Sequence, residues 1–288
     1  MFMANIIDLP DFMFKNVTNN EGKFKKIYLF FKGVLVASLY KLTSKNLFCF
    51  FINLIFRKDG KINHEKGYYF KKLSDNSIIR FPNKRIDRVV LDHKAHFKFF
   101  LETYCLSKLE IKKNDLIIDC GANVGELYFA LRFCNHEFDY IGFEPDPATY
   151  KCLELNLDTK NSHSYMVALS NESTTKQFFL DSDGADSSLE FFGKNNSLNI
   201  ETATLDSFDL EKIKLFKIEA EGHELEVLQG SVSTLKNIEY ISVDYGPEKG
   251  PNNETTIASV INFLYANNFT IIEGSKHRQV GLFKNKLM

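Results

Sequence analysis

A short glycine-containing run is the first feature of the sequence with the residues for chemistry. It spans residues 118–125, overlaps a predicted buried strand at 116–119, and leads into an apolar helical pattern. Gly121 and Gly125 allow a tight strand-to-helix turn and a close approach of the backbone to a ligand. The next predicted strand ends at Glu144, where a carboxylate can accept hydrogen bonds from the two hydroxyls of a ribose. The spacing predicts a nucleoside-binding crevice at the carboxyl edge of a parallel sheet.

The charge beside this run indicates which nucleoside fits. Asp119 stands directly before the turn, where a negative charge repels a diphosphate and attracts a cation. The glycine pattern is G-x-x-x-G and not the G-x-G-x-x-G of dinucleotide sites. S-adenosylmethionine carries a sulfonium, an ammonium and a ribose but no phosphate, so these residues favour it as cofactor. The alternative is an ordinary tight turn with an exposed Glu144.

Five runs of the chain carry a resemblance to a known family. They are I-I-D-C-G-A-N-V-G at 117–125, G-F-E-P-D-P at 142–147, V-A-L-S at 167–170, A-T-L-D-S-F at 203–208 and F-K-I-E-A-E-G-H-E-L-E-V-L-Q-G at 216–230. With them the chain resembles the FkbM-type S-adenosylmethionine-dependent methyltransferases. The last run is the most specific, because a generic methyltransferase lacks it. The resemblance covers residues 65–285 and leaves residues 1–60 outside.

The resemblance implies an O-methyltransferase that acts on a hydroxyl of a sugar, a glycan or a related small metabolite. It also implies that the glycine run lines the methionine and ribose of the cofactor, that Glu144 holds the ribose, and that the loop at 168–170 lies by the adenine. The cofactor-binding residues so implied are Asp119, Gly121, Ala122, Asn123, Gly125, Glu144, Pro145, Ala168 and Ser170. The chain departs from the family pattern at Glu219, where Asp is usual, and at His223, where a small residue is usual.

Acidic and imidazole side chains after the fourth and fifth strands of the predicted sheet are the candidates for catalysis. Methyl transfer to oxygen is an in-line displacement, and a general base that removes the hydroxyl proton accelerates it. We predict the catalytic set Glu219, Glu221, His223 and Asp244. His223 can titrate near neutral pH, or it can instead hydrogen-bond a backbone group at the start of a helix. Glu221 can instead cap the helix that begins near Gly222.

A divalent metal is an alternative at the same strand ends. Glu219 and Asp244 offer the oxygen ligands that a hard cation prefers, and a bound ion would lower the pKa of a substrate hydroxyl. We do not favour a metal, and expect these acids to contact the cofactor's ammonium or sugar hydroxyls. Three weaker candidates are Ser187 and Ser188, on a loop that could close over substrate, and Glu102, which could reach the cofactor's amino group.

Alternating strand and helix patterns from residue 115 onward must position these residues. They predict an α/β, Rossmann-like class I methyltransferase fold, with a mostly parallel seven-stranded sheet and helices on both faces. A polar segment at 181–199 has the composition of a linker. A hairpin over 68–81 and a helix over 95–109 precede the sheet. The predicted strands of the sheet are 116–119, 140–143, 164–168, 215–218, 240–243, 270–272 and 280–283.

The amino-terminal third differs from the rest of the chain in charge. Residues 1–100 carry 19 basic and 8 acidic side chains, whereas residues 101–288 carry 17 and 29. We therefore divide the chain into a basic, Phe/Lys-rich helical segment (1–64), a hairpin and helix leading into the core (65–112), and the methyltransferase domain (113–288).

The lysine-flanked apolar stretches within residues 23–58 have two interpretations. They form helices that pack on the main domain or in a homo-oligomer, or they lie on an anionic membrane surface. No apolar run reaches the roughly 18 residues of a spanning helix, and no secretory signal is recognised. Five cysteines form no Cys-x-x-Cys pair. We expect a cytoplasmic protein, with peripheral contact to the inner face of the membrane as the alternative.

The charge pattern also bears on partners. The basic third fits an acceptor that carries phosphate, such as a nucleotide sugar. A nucleic-acid methyltransferase is an alternative function, but the acidic remainder of the chain argues against a large nucleic-acid footprint. A non-catalytic, membrane-associated protein that retains the fold is the other alternative, and the density of carboxylates at the predicted strand ends argues against it.

Overall fold

The chain forms two compact units, Met1–Phe97 and Lys98–Met288. The predicted three-part division at residues 64 and 112 stays a prediction. Among the described residues, no helix is both long and apolar enough to cross a bilayer. The computed structural model describes residues 23–56, 60–89, 93–134, 137–158, 160–180, 188–191 and 197–288, without the side chains of residues 23–30 and 32.

Two helices and a small antiparallel sheet make up the described part of the first unit. Both predicted helices and the predicted hairpin are confirmed, and Asp75 accepts a hydrogen bond from the Ser77 backbone N–H in the hairpin turn. A further strand, β1, was not predicted, because its short I-N-H-E sequence has no strand signal. The elements are α1 (Lys23–Leu42), α2 (Lys45–Ile55), β1 (Ile62–Glu65), β2 (Tyr68–Lys72), β3 (Ile78–Phe81) and a 3-10 turn (Lys84–Val89).

The helix expected over 95–109 is shorter than its apolar pattern. Helix α3 spans His93–Thr103. Cys105 adopts a left-handed backbone conformation with φ 59°, and the Leu106 N–H donates to the Leu101 carbonyl oxygen at 2.8 Å. This is the geometry of a left-handed helix C-terminus, and it satisfies a terminal carbonyl. The apolar pattern extends past Thr103 because Leu106 is buried although it lies beyond the end of the helix, and the pattern alone therefore overestimates the helix length.

A mostly parallel seven-stranded sheet forms the centre of the second unit, as predicted. Its order is β14-β15-β11-β10-β4-β5-β6, and β15 runs antiparallel to both of its neighbours. The expected α/β, Rossmann-like class I methyltransferase fold is therefore confirmed. The strands are β4 (Asp115–Cys120), β5 (Phe138–Phe143), β6 (Ser162–Tyr165), β10 (Ile213–Ile218), β11 (Ile238–Asp244), β14 (Phe269–Gly274) and β15 (Val280–Asn285).

Helices and two smaller sheets complete the second unit. The strand expected over 164–168 is wrong in extent, because β6 ends at Tyr165 and Ala168 belongs to a different sheet, of order β7-β9-β8. The supposed linker at 181–199 ends inside strand β9, while residues 181–187 and 192–196 lie outside the described part. The remaining elements are α4 (Glu126–Phe133), α5 (Pro147–Asn156), β7 (Ala168–Leu169), β8 (Thr175–Phe179), β9 (Ser197–Ala203), α6 (Glu224–Gln229), β12 (Pro247–Lys249), β13 (Glu254–Thr255), α7 (Ile257–Ala266) and two 3-10 turns (Leu205–Phe208 and Leu235–Asn237).

The central strands β4, β5, β10 and β11 supply the main apolar core. Ile118, Phe143, Phe216 and Ile241 are almost fully buried in one cluster. Burial of each such side chain contributes about 1.5–3 kcal/mol, which holds the strands in fixed register. Lys217 is a charged residue within one of these buried strands, and it faces Asp119 across the β10–β4 pair. A buried charge at this place needs partners, and they lie at the carboxyl edge of the sheet.

Candidate active site

The glycine run forms a tight loop pressed between two strand ends. Gly121 has φ +70°, and a Cβ atom there would lie 2.0 Å from the Glu219 carbonyl oxygen. The backbone N–H groups of Gly121 and Ala122 both donate to the Phe143 carbonyl oxygen at 3.0 Å. Gly125 begins helix α4 with φ +90°. The loop therefore requires glycine for its own packing, whatever it binds.

Glu144 is buried against this loop, and its predicted contact with a ribose stays a prediction. One carboxylate oxygen accepts a hydrogen bond from the Asn123 backbone N–H at 2.9 Å, and the other accepts one from the Asp146 N–H at 2.9 Å. Burial raises the pKa of Glu144 to about 7. The alternative of an exposed Glu144 is wrong, since the residue is 8% exposed. Pro145, which has no backbone N–H, separates Glu144 from the helix that Asp146 caps.

Lys217 lies beneath the loop with its ammonium fully enclosed. The Nζ atom is 3.1 Å from an Asp119 oxygen and 3.0 Å from a Glu219 oxygen, and it donates to the Gly121 carbonyl at 2.9 Å. The Tyr140 hydroxyl donates to the other Asp119 oxygen at 2.7 Å. Although burial alone would lower it, the adjacent carboxylates raise the pKa of Lys217 above its usual range.

The expectation that Asp119 offers an unpaired charge to a cationic cofactor does not hold, because the side chain is 1% exposed and shares Lys217 with Glu219. The place of Asp119 among the cofactor-binding residues stays a prediction. Asp119 and Lys217 fix the loop from below, so any contribution of Asp119 to a ligand is made through the position of Gly121. Sequence reasoning did not single out Lys217, although a lone lysine within the predicted strand 215–218 is a visible signal of a buried charge.

Arg278 gathers three carboxylates at the same edge of the sheet. Its guanidinium lies 2.9 Å from a Glu219 oxygen, 2.9 Å from an Asp244 oxygen and 3.1 Å from a Glu248 oxygen. The metal alternative placed a divalent ion between Glu219 and Asp244. A guanidinium lies there, so these two carboxylates do not form a metal site in this arrangement.

The carboxyl groups of this cluster differ in their proton affinity. Burial would raise the pKa of Glu219, but Lys217 and Arg278 hold it well below its usual range. Burial and neighbouring acids raise the pKa of Asp244 to about 6 and that of Glu248 to about 7. Glu219 is consequently a poor proton acceptor at neutral pH, whereas Asp244 and Glu248 are better ones. Glu248 was not predicted, because it lies beyond the strand end in β12.

His223 and Ser170 meet in a second polar cluster. The Nε2 atom of His223 lies 3.0 Å from the Ser170 hydroxyl, and Nδ1 lies 3.0 Å from a Glu190 carboxylate oxygen. Lys176 donates to the same Ser170 hydroxyl at 3.2 Å. The alternative that His223 bonds a backbone group is wrong, since both ring nitrogens face side chains. As a general base, His223 would first have to give up one of these partners.

The second polar cluster also brings three metal-type ligands together. Oxygen or nitrogen atoms of Glu190, His223 and Glu226 lie within 4.8 Å of one another. The Lys249 ammonium lies 2.7 Å from a Glu226 oxygen and 3.9 Å from a Glu190 oxygen. It supplies the positive charge that these carboxylates need, so we do not assign a metal centre here.

The alternative that Glu221 caps the helix beginning near Gly222 is wrong. Helix α6 begins after His223 without a side-chain cap, and the Glu224 carboxylate accepts the N–H groups of Ala220 and Gly222 at 3.2 and 2.9 Å. Glu221 has φ +49°, and its carbonyl accepts the Ser188 hydroxyl at 2.8 Å.

The structure describes two of the three weaker candidates, Ser188 and Glu102. Ser188 is buried and exchanges two backbone hydrogen bonds with Phe179, which does not fit a residue carried on a lid. Ser187 lies outside the described residues. Glu102 is half-exposed, and its carboxylate is 3.9 Å from the His277 ring. Ala168 is buried in β7, and its predicted contact with adenine stays a prediction.

Replacement of Lys217 tests the buried network. We expect Lys217→Met to lower the free energy of unfolding by about 3–5 kcal/mol, because it leaves Asp119 and Glu219 without their shared cation. The matched control is Lys214→Met on the same strand, which breaks a more exposed pair with Glu239 and should cost about 1 kcal/mol or less. Urea unfolding followed by circular dichroism measures both. Equal losses in the two variants would contradict the role given to Lys217.

Comparison with known proteins identifies the family. A curated relative, hexuronic acid methyltransferase AglP of Haloferax volcanii, is 25% identical over 155 residues, which are 52% of this chain and 64% of the relative. The chain thus spans less than two thirds of that relative's length. Two solved structures are similar at TM-scores below 0.5. Methyltransferase FkbM from Methylobacillus flagellatus KT has a TM-score of 0.45 and 14% identity, covering 68% of this chain and 56% of that one.

The second structure is a SAM-dependent methyltransferase from Aquifex aeolicus, with a TM-score of 0.39 and 11% identity, covering 66% of this chain and 97% of that one. The profile of the methyltransferase FkbM domain matches residues 119–271, just over half of the chain. This span contains the glycine loop, Glu144, Lys217 and Asp244. The chain therefore belongs to the FkbM methyltransferase family.

Proposed function

We propose that this protein is an S-adenosylmethionine-dependent O-methyltransferase acting on a hydroxyl of a sugar or glycan. The observation that carries the proposal is the hydrogen bond between the glycine loop and buried Glu144, at the carboxyl ends of β4 and β5. Strand order reverses at β4, and ligands of open α/β sheets bind at such switch points. Membership of the FkbM family supports the same activity.

The residues at this edge fit the proposed cofactor. Each Glu144 oxygen accepts one backbone hydrogen bond and has capacity for another, as two ribose hydroxyls require. Because Gly121 has no Cβ, the backbone of the loop can pack directly against the Glu219 carbonyl. Three carboxylates face one guanidinium at Arg278, so the edge has an excess of negative charge that suits an ammonium or sulfonium. S-adenosylmethionine, when bound, supplies a methyl group on a positive sulfur that leaves readily.

The chain's own contribution to transfer is to orient the acceptor hydroxyl and to take its proton. We assign the proton to Glu248, with Asp244 beside it, in place of Glu219. One Glu248 oxygen contacts Arg278, while the other is buried and accepts no hydrogen bond from the described residues. A carboxylate with a pKa of about 7 is a suitable general base near neutral pH. The name of the relative, a hexuronic acid methyltransferase, supports a sugar acid as the acceptor.

His223 has a different role in this proposal. With both ring nitrogens engaged, it links Ser170 on one side to Glu190 on the other, and so holds the loop after β7 against the start of α6. We regard His223 and Ser170 as positioning residues. Glu221, whose carbonyl is tied to Ser188, stays a candidate for contact with the acceptor.

Cofactor binding tests the assignment of Glu144. We expect S-adenosylmethionine and its demethylated product to bind in calorimetry, and Glu144→Gln to weaken binding about 10–100-fold, because it removes charge-assisted hydrogen bonds. Wild-type affinity should fall as the pH drops below about 7, since protonation removes the carboxylate, and this dependence should be weaker in the Gln variant, which keeps only the contributions of Asp244 and Glu248. The matched control is Glu154→Gln, on the exposed face of α5. Failure of the wild type to bind either compound would end the proposal.

Transfer rates test the assignment of Glu248. With a hexuronic-acid oligosaccharide as acceptor and methyl-labelled cofactor, we expect Glu248→Gln to lower kcat about 10²–10⁴-fold, a much larger effect than the loss of cofactor affinity from one of several negative charges. The wild-type rate should fall as the pH drops below about 7, because the base becomes protonated. The control is the exposed Glu254→Gln on β13. An unchanged kcat in Glu248→Gln would contradict the assignment of Glu248 as general base and leave Asp244 and His223 as the candidates.

A further inference from the structure

Helix α2 is apolar on two opposite faces. Phe48, Cys49 and Ile52 are buried on one face. Leu47 and Phe50 on the other face are 55% and 62% exposed, and Leu54, one turn further on, is 49% exposed. Residues at this spacing form a single stripe along a helix. A helix that needs only one apolar face to pack on its own unit has a second one available for another surface.

Helix α1 repeats this arrangement. Its exposed apolar residues are Phe31, Val34, Leu35 and Leu42, whose exposed fractions range from 45% to 82%. They too lie on one face, at intervals of three, four and seven residues, while Val36 on the opposite side is buried. Isolated exposed apolar residues are common, but two consecutive helices that each carry an exposed apolar stripe are not.

The two stripes are held in place by hydrogen bonds within the first unit. Asn53 exchanges two side-chain hydrogen bonds with the backbone of Ile62, at 2.8 and 2.9 Å. Lys84 donates to the carbonyl oxygens of Tyr40 and Thr43 at the end of α1. These bonds fix which face of each helix packs inward, so the exposed stripes do not result from free rotation of the helices.

The charge around the stripes has one sign. Residues 23–58 contain seven lysines, one arginine and no aspartate or glutamate. Lys41 and Lys45, at the junction of the two helices, are exposed. Exposed apolar side chains with Lys41 and Lys45 between the two helices, in a sequence segment without acids, match the interface of an anionic bilayer, where apolar side chains enter the acyl boundary and lysines meet the headgroups. A symmetric pairing of two copies through this face would instead bring lysines against lysines.

We propose that the exposed faces of α1 and α2 dock the protein onto an anionic membrane surface. The helices would lie in the plane of the interface, with the stripe of Phe31, Val34, Leu35 and Leu42 and the stripe of Leu47, Phe50 and Leu54 inserted. This proposal is independent of the proposed methyl transfer. It concerns residues outside the matched family domain.

Flotation of the full chain with vesicles tests the docking surface. We expect wild-type protein to float with vesicles rich in phosphatidylglycerol and to remain at the bottom with pure phosphatidylcholine vesicles. The variant Phe50→Ser/Leu54→Ser should reduce the bound fraction about tenfold or more, because it removes inserted apolar area. The variant Lys41→Gln/Lys45→Gln should lower the partition coefficient about fivefold for each lysine, and raised salt should act in the same direction.

The matched control is Val232→Ser/Ile272→Ser, which changes two apolar residues of similar exposure (52% and 51%) in the second unit and should float like wild type. Circular dichroism and cofactor calorimetry on every variant separate a docking defect from misfolding and from failure of the proposed enzyme activity. Absence of wild-type flotation on anionic vesicles would overturn the proposal. So would light scattering that finds a dimer dissociated by Phe50→Ser/Leu54→Ser, since the stripes would then be covered by a second copy.

Discussion

The ammonium of Lys217, enclosed between Asp119 and Glu219, is the interaction on which the candidate site depends. It joins the carboxyl ends of two neighbouring parallel strands and donates a hydrogen bond to the Gly121 carbonyl oxygen in the glycine loop. Burying three charges is costly unless each is paired, so the geometry of this group tolerates little change. Tyr140 completes it from the side of β5. The ion cluster holds the glycine loop in position through the Gly121 carbonyl, and the loop holds the Glu144 carboxylate through the Asn123 N–H.

The same strand ends use a second cation in a more exposed position. Arg278 contacts Glu219, Asp244 and Glu248, and it is 39% exposed where Lys217 is almost completely enclosed. An enclosed cation paired with two carboxylates holds them in one fixed arrangement, because no water is available to replace a lost contact. A more exposed guanidinium among three carboxylates can exchange partners at lower cost, because water replaces a lost contact. We therefore expect the residues that take part in proton transfer to lie on the Arg278 side of Glu219. The residues on the Lys217 side hold the strand ends and the glycine loop in place.

The features that sequence predicts well are those fixed by local chemistry. The strand–turn–helix at Gly121 follows from residue types within eight positions, and the distance to Glu144 follows from one strand–helix–strand unit. Lys217, Arg278 and Glu248 were not predicted, because their roles depend on which residues the register places opposite them. The position of Asp119 directly before the glycine turn was predicted, but its ion pair was not. The lysine that pairs with it lies 98 positions later in the chain, so the pair depends on the same strand register. The early end of α3 and the β7-β9-β8 sheet likewise depend on backbone geometry that apolar periodicity does not encode.

An excess of carboxylates at the sheet edge links ligand binding to stability. Folding raises the pKa of Glu144, Asp244 and Glu248, chiefly by burial. A carboxyl group whose pKa is higher in the folded state loses stability as the pH rises from its unfolded value, near 4, through its folded value, and the loss is complete above that. At neutral pH the unliganded site therefore carries an electrostatic cost. A cationic ligand that reaches these carboxylates lowers the cost, and this Coulombic gain is part of its binding free energy. A neutral nucleoside would offset only the share of Glu144, through the ribose hydroxyls, so the burial of Asp244 and Glu248 favours a positively charged cofactor.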